Sequence, residues 1–107
     1  MRMWMLNPKL MCAQHLLGEH VELHMLVATI RLGKRLDGYI QTGLIEIHNI
    51  TARHHALVQE MKRRGFKHAS PLPRFNAATA GKINRTLNRM ELSRRCKRCR
   101  ALMAHRT

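Results

Sequence analysis

The chain has 107 residues, 20 of them Lys or Arg against 6 Asp or Glu, giving a formal charge of +14. That length holds one domain, residues 1–107, able to bury roughly two thirds of its unfolded surface, and the charge selects a polyanionic partner, nucleic acid being the commonest for a small basic domain. No apolar run nears the ~18 residues of a membrane span, the opening Met-Arg-Met-Trp-Met-Leu is broken by Asn-Pro-Lys too soon for a secretory signal, and three cysteines fit a reducing compartment better than a disulfide scaffold, so a protein acting inside the cell, away from membranes, is expected.

Residues 1–7 carry Trp4 between two methionines, an apolar segment expected to pack on the helices and so to hold the α-amine in place. Asn7-Pro8 starts the first predicted helix: Asn caps through its side-chain oxygen, and Pro at the first position gives up no needed donor. Over residues 8–32 the 3.6-residue period puts Leu16, His20, Leu23, Val27 and Ile30 on one core-facing stripe with Ala13 nearby. Gln14, Gly18, Val21, Glu22 and Met25 share a different face, poor in apolar bulk and carrying one of the few carboxylates.

Gly33 and Gly38 bracket a basic break, with Lys34 and Arg35 as DNA-contact candidates. Residues 39–48 read equally as a short strand or irregular chain, and no site is placed there. Asn49 or Thr51 can cap a second helix with Ile50, Leu57, Val58 and Met61 buried. Arg63 and Arg64 suit its negative end, and Gly65 suits the left-handed residue that follows. Ser70-Pro71-Leu72-Pro73 is a stiff connector. A third helical pattern begins at residue 77 or 82 and runs to 105, with Ile83, Leu87 and Met90 on one face. Its end is crowded with cations, and with so few acids to pair them, Arg94, Arg95, Lys97 and Arg98 are assigned to phosphate contacts. Few Gly and Pro and no sustained alternation predict an all-α fold of about three main helices.

Gln14-His-Leu-x-x-Glu-x-x-Glu22-Leu, this close behind the amino terminus, resembles the pyrimidine-dimer DNA glycosylases with AP-lyase activity. Residues 53–66, closing on Arg63-Arg64-Gly65-Phe66, resemble that family's second helix. The resemblance implies a helical fold and an imine mechanism in which the α-amine of Met1 is the nucleophile and Glu22 the essential carboxylate. Arg2 and Gln14 take the family's DNA-positioning places. It implies damaged double-stranded DNA as substrate, no metal, no cofactor and a monomer. Two basic positions of a viral family member's first helix are Val21 and Met25 here, and its aromatic C-terminal tail has no counterpart, so the imine chemistry carries over further than the pyrimidine dimer as lesion.

The residue types suit that chemistry. An α-amine has an intrinsic pKa of about 7.7–8.0 against about 10.4 for lysine, so part of it is a neutral nucleophile at cellular pH. Arg2, a fixed cation, would depress that value further and can hold a phosphate. It is also bulky enough to protect the initiator Met from removal. A carboxylate beside the resulting imine stabilises positive charge on the sugar and assists removal of the C2′ proton.

Other constellations are weaker. His20 and His24 are spaced i, i+4 without the His-Glu-x-x-His pattern, and His20 reads better as a packing residue. Cys96-x-x-Cys99 with His105 is half a zinc site that Cys12 or His68 would have to complete. The rival function is a non-catalytic basic nucleic-acid-binding protein, in which Glu22 is dispensable.

Overall fold

Burial at the N-terminus organises the architecture. In the computed structural model, which describes residues 1–67 and 70–104, the first segment runs extended across the core with Met3, Trp4 and Leu6 buried, and the Met3 amide donates to the Leu44 carbonyl at 2.8 Å. Among the described residues five α-helices follow: α1 (Ala13–Arg31), α2 (Asp37–Gln41), α3 (Ile50–Arg63), α4 (Arg85–Arg95) and α5 (Lys97–Ala104). Short 3-10 turns precede α1 at Pro8–Leu10 and α3 at Ile47–Asn49. No strand occurs among the described residues, and none of their helices is long and apolar enough to cross a membrane.

The all-α expectation holds, with three local corrections. The first helix does not start at Pro8. Asn7 caps only the 3-10 turn, accepting from the Lys9 amide at 3.1 Å, and the chain turns extended at Met11 and Cys12 before α1. A tertiary contact sits at the break: Arg64 donates to the carbonyls of Pro8 and Met11, at 3.0 and 2.6 Å, and the Pro8 carbonyl also accepts the Met11 amide at 3.1 Å. Residues 39–41, the start of the 39–48 stretch read as strand or irregular chain, belong instead to the helical turn Asp37–Gln41.

The third pattern is the largest change. Residues 77–84 are not helical, α4 begins after Asn84, whose side chain accepts from the Leu87 amide at 3.0 Å, and the helix breaks at Cys96. Ile83 is buried ahead of the helix, but Leu87 and Met90 are exposed and the inward face holds Asn88 and Leu92. A buried Asn needs partners, and Asn88 has them, donating to the carbonyls of Met3 (3.2 Å) and Trp4 (2.9 Å). The predicted end of this pattern at His105 lies outside the described residues.

Helices α1 and α3 pack face to face, and α5 returns to the Pro8–Leu10 turn. On α1 the buried residues are Leu16, Glu19, His20, Leu23, Leu26 and Val27. Ile30 is only half-buried and Ala13 is exposed. The predicted stripe of α3 (Ile50, Leu57, Val58, Met61) is buried, and Gly65 has the left-handed φ of 81°. Gly81, at φ 93°, lies so close to residue 45 that a β-carbon would stand 2.1 Å from the Ile45 carbonyl oxygen. Glu46 fixes this crossing by accepting from the Ile83 amide (2.7 Å) and the Asn49 side chain (2.6 Å).

Buried Glu60 anchors the end of α3. The hydrogen bond from Arg63, then that from Arg64, outweigh burial and hold its carboxyl down at about 2. A carboxyl whose folded value lies below its unfolded one stabilises the protein above the unfolded value, and that contribution is lost as pH falls toward the folded one. Acid unfolding should therefore take part of its pH dependence from Glu60 between about pH 4 and about pH 2. Glu60→Gln should flatten that limb when urea midpoints are measured against pH, and an unchanged limb would rule out this role.

Candidate active site

Two elements meet at the polar face of α1. Gln14 and Glu22 are eight positions apart, just over two helical turns, so both project to the same side. The N-terminal segment crosses that side, anchored by the buried Met3 and Trp4. Its Arg2 amide donates to Glu22 Oε2 at 3.2 Å. The α-amine of Met1 is therefore one peptide unit from a group that touches the carboxylate, and Met1 itself is half-buried.

A cleft of about 380 Å³ opens here, lined by Arg2, Trp4, Gln14, His15, Gly18, Glu19, Glu22 and Arg95. Most of its wall is polar, and it joins the first turns of α1 to the end of α4. The Arg2 guanidinium stacks over the Trp4 ring, 4.0 Å from the centroid, and donates to Asn88 Oδ1 at 2.8 Å. Burial and, next, the nearby Arg95 make that guanidinium hold its proton less tightly than usual, with Glu91 and Glu22 opposing. It stays a cation all the same. Arg2 is thus braced by the fold, and its charge faces the cleft from a fixed position.

The two glutamates of the Glu-x-x-Glu motif have separate fates. Glu22 is half-buried at the cleft. Glu19 is 1 % exposed and receives a two-pronged bond from Arg53 of α3, Nε to Oε2 at 2.6 Å and Nη2 to Oε1 at 2.8 Å. The same guanidinium donates to the Leu6 carbonyl at 2.5 Å. This buried pair joins α1, α3 and the N-terminal segment. Sequence reasoning marked Trp4 as a packing residue but did not single out Glu19, Arg53, His15 or Asn88. The two members of the pair lie within the stretches that carry the family resemblance, whereas nothing local marks Asn88.

Of the remaining basic candidates, all but Arg95 lie outside this cleft. Lys34 and Arg35 are exposed beyond the far end of α1, and Arg35 Nε donates to Asp37 at 2.7 Å. Arg94 and Arg95 both pair with Glu91, each with a contact of 2.5 Å. The Arg94 hydrogen bond, then that of Arg95, hold the Glu91 carboxyl down at about 2. Of these two arginines, Arg95 alone lines the cleft. Lys97 and Arg98 are exposed in the first turn of α5.

Two groups of metal-capable side chains come together among the described residues. His20 and His24 of α1 pack against His54 of α3, with ring centroids 4.8 to 5.2 Å apart. Cys12, His15, Cys96 and Cys99 form the other group. The sequence required no metal, and the half-site at Cys96 and Cys99 with His105 needed Cys12 or His68 to complete it. The fold supplies Cys12 and His15, while His68 and His105 lie outside the described residues.

Residues 1–73 match the family model described as pyrimidine dimer DNA glycosylase. Neither comparison with curated proteins nor comparison with solved structures gives a match.

Proposed function

The chain belongs to the pyrimidine dimer DNA glycosylase family, and from that membership we propose that it is a glycosylase with AP-lyase activity whose nucleophile is the α-amine of Met1. The observation that carries this reading is the contact between the Arg2 amide and Glu22, which holds the start of the chain against a carboxylate inside a polar cleft. The neutral amine attacks C1′ of the damaged nucleotide. A nitrogen–carbon bond forms, the bond to the base breaks, and the base leaves with the electron pair and a proton. Opening of the sugar ring gives an imine.

Glu22 then takes the C2′ proton, and the electrons of that C–H bond expel the 3′ phosphate. Before that step the carboxylate offsets positive charge on the sugar. Gln14, Arg2 and Arg95 orient the sugar and its flanking phosphates. Lys34, Arg35, Arg94, Lys97 and Arg98 add sequence-independent phosphate attraction from outside the cleft, which makes binding strongly salt-dependent. Reaching C1′ requires extruding or distorting a nucleotide at a cost of a few kcal/mol, and those contacts supply it. In this reading the enzyme acts as a monomer, inside the cell, on double-stranded DNA bearing a pyrimidine dimer or an abasic site, with no cofactor in the chemistry.

Borohydride reduction of the protein with duplex DNA carrying one abasic site tests the mechanism. Mass spectrometry of the N-terminal peptide should find the sugar adduct on Met1, and blocking the α-amine should abolish it. Tight, salt-dependent binding with no adduct would leave a non-catalytic nucleic-acid-binding protein. An adduct on a lysine would move the nucleophile elsewhere.

A further inference from the structure

The four side chains behind the cleft have the arrangement of a metal centre. Cys12 is the residue before α1 and His15 lies in its first turn. Cys96 is the break between α4 and α5, and Cys99 lies in the first turn of α5. Each pair therefore has an x-x spacing across a helix start, which brings its two side chains to one side, and the packing of α5 on the segment before α1 sets the pairs opposite each other.

The distances are specific. A tetrahedral zinc with Zn–S near 2.3 Å and Zn–N of 2.0–2.1 Å places its ligands about 3.8 Å apart for two sulfurs and about 3.5 Å apart for sulfur and nitrogen. Here Cys12 Sγ and Cys96 Sγ are 3.8 Å apart, and His15 Nδ1 is 3.3 Å from Cys12 Sγ and 3.7 Å from Cys99 Sγ. All four ligand atoms lie within 4.8 Å of one another. A disulfide needs about 2.05 Å between sulfurs, and all three cysteines are free.

Backbone amides reach the sulfurs. The Cys12 amide donates to Cys99 Sγ at 3.2 Å and the Cys99 amide to Cys96 Sγ at 3.4 Å, the outer-shell support that bound sulfurs receive. Lys97 and Arg98 sit between the two C-terminal cysteines in a chain of charge +14. The Trp4 ring packs edge-on against His15, with centroids 6.1 Å apart. Cys12 and Cys99 are buried, while His15 and Cys96 are half-buried, which leaves a path for entry.

We propose that Cys12, His15, Cys96 and Cys99 bind one structural zinc ion that clips the C-terminal helices onto the domain that carries the active site. Four protein ligands fill the tetrahedron, so the ion has no open position for hydrolytic chemistry. Its place in the chain explains its use. Cys12 and His15 fall inside the family-matched residues 1–73, and Cys96 and Cys99 beyond them. Gln14 lies between the first two ligands and Arg95 directly precedes the third, so the ion fixes two walls of the cleft at once. The inference does not depend on the imine mechanism, because its readout is the metal.

The test uses the full chain, purified without chelator. Elemental analysis should find one zinc per chain, falling at least tenfold in Cys96→Ser/Cys99→Ser. Cobalt added to the demetallated wild type should give a thiolate-to-metal charge-transfer band and the intense visible bands of a tetrahedral site. His15→Cys should keep the metal and shift those bands toward an all-sulfur pattern. If the serine variant does not fold, the wild-type cobalt spectrum decides alone. Three thiols that stay freely reactive in zinc-equilibrated, helical protein would overturn the site, as would zinc that survives the serine substitutions, which would put the ion on histidines.

Discussion

Replacing Glu22 with Gln should slow strand cleavage at an abasic site by about 10²–10⁴-fold, the usual worth of a positioned acid–base group. The substitution is nearly isosteric, and the Gln oxygen still accepts the Arg2 amide that Glu22 accepts at 3.2 Å. The N-terminal segment thus keeps its place, anchored as it is by buried Met3 and Trp4 and by Asn88. What is lost is the negative charge and, in the proposed mechanism, the ability to take the C2′ proton. Imine formation from an open-chain abasic aldehyde requires neither base displacement nor that proton transfer. Glu22→Gln should therefore still be trapped by borohydride on Met1 while single-turnover cleavage falls, and its affinity for DNA should match or exceed the wild type, one repulsive charge having gone. A variant that cleaves at the wild-type rate would remove Glu22 from the mechanism. One that neither traps nor cleaves, yet remains folded, would shift its role from elimination to activation of the amine.

Arg53→Met should destabilise the fold by about 3–5 kcal/mol, because removing one partner of a buried pair strands the other charge. The Glu19 side chain has no exposure and Arg53 only 5 %, so water cannot replace the lost donors. The Leu6 carbonyl, which accepts from the same guanidinium at 2.5 Å, is orphaned too. For a domain whose total stability falls in the usual range of ~5–15 kcal/mol, this is a large share. A melting temperature lowered by roughly 12–20 °C is expected from the usual proportion for a domain of this size. Pairing the change with Glu19→Leu should recover part of the loss, since apolar residues of similar volume often replace a buried ion pair at little cost. Calorimetry of the two single variants and the double variant would measure the coupling. Additive losses would show that the pair does not act as a unit.

Patterns set by neighbours in the chain were legible beforehand. The 3.6-residue stripe of α3, its Arg-rich end and the left-handed Gly65 follow from residues within a turn or two of one another. The polar face of α1, with Gln14 and Glu22 on one side, follows from helical geometry alone, and that face is the one the cleft uses. The start of α1 was misplaced at a contact that no local pattern shows: Arg64, more than fifty residues away, donates to the carbonyls of Pro8 and Met11. The inward face of α4 was misplaced at another such contact. Leu87 and Met90 have the right spacing for a core stripe, yet the N-terminal segment presents the carbonyls of Met3 and Trp4 to this helix, and Asn88 is the residue able to satisfy them.

The sequence by itself determined the helical class, the strong positive charge and the joint placing of Gln14 and Glu22, because periodicity, composition and short-range spacing survive without a partner. Tertiary structure decided which motif glutamate stays open to the cleft and which is buried in its wall against Arg53, since Glu19 and Glu22 differ only by three positions on one helix and by what packs over each. It also decided that Arg95 joins the cleft and that Cys12 and His15 meet Cys96 and Cys99. Residues more than eighty positions apart become neighbours only when burial of the N-terminal segment draws α4 and α5 back across the start of α1.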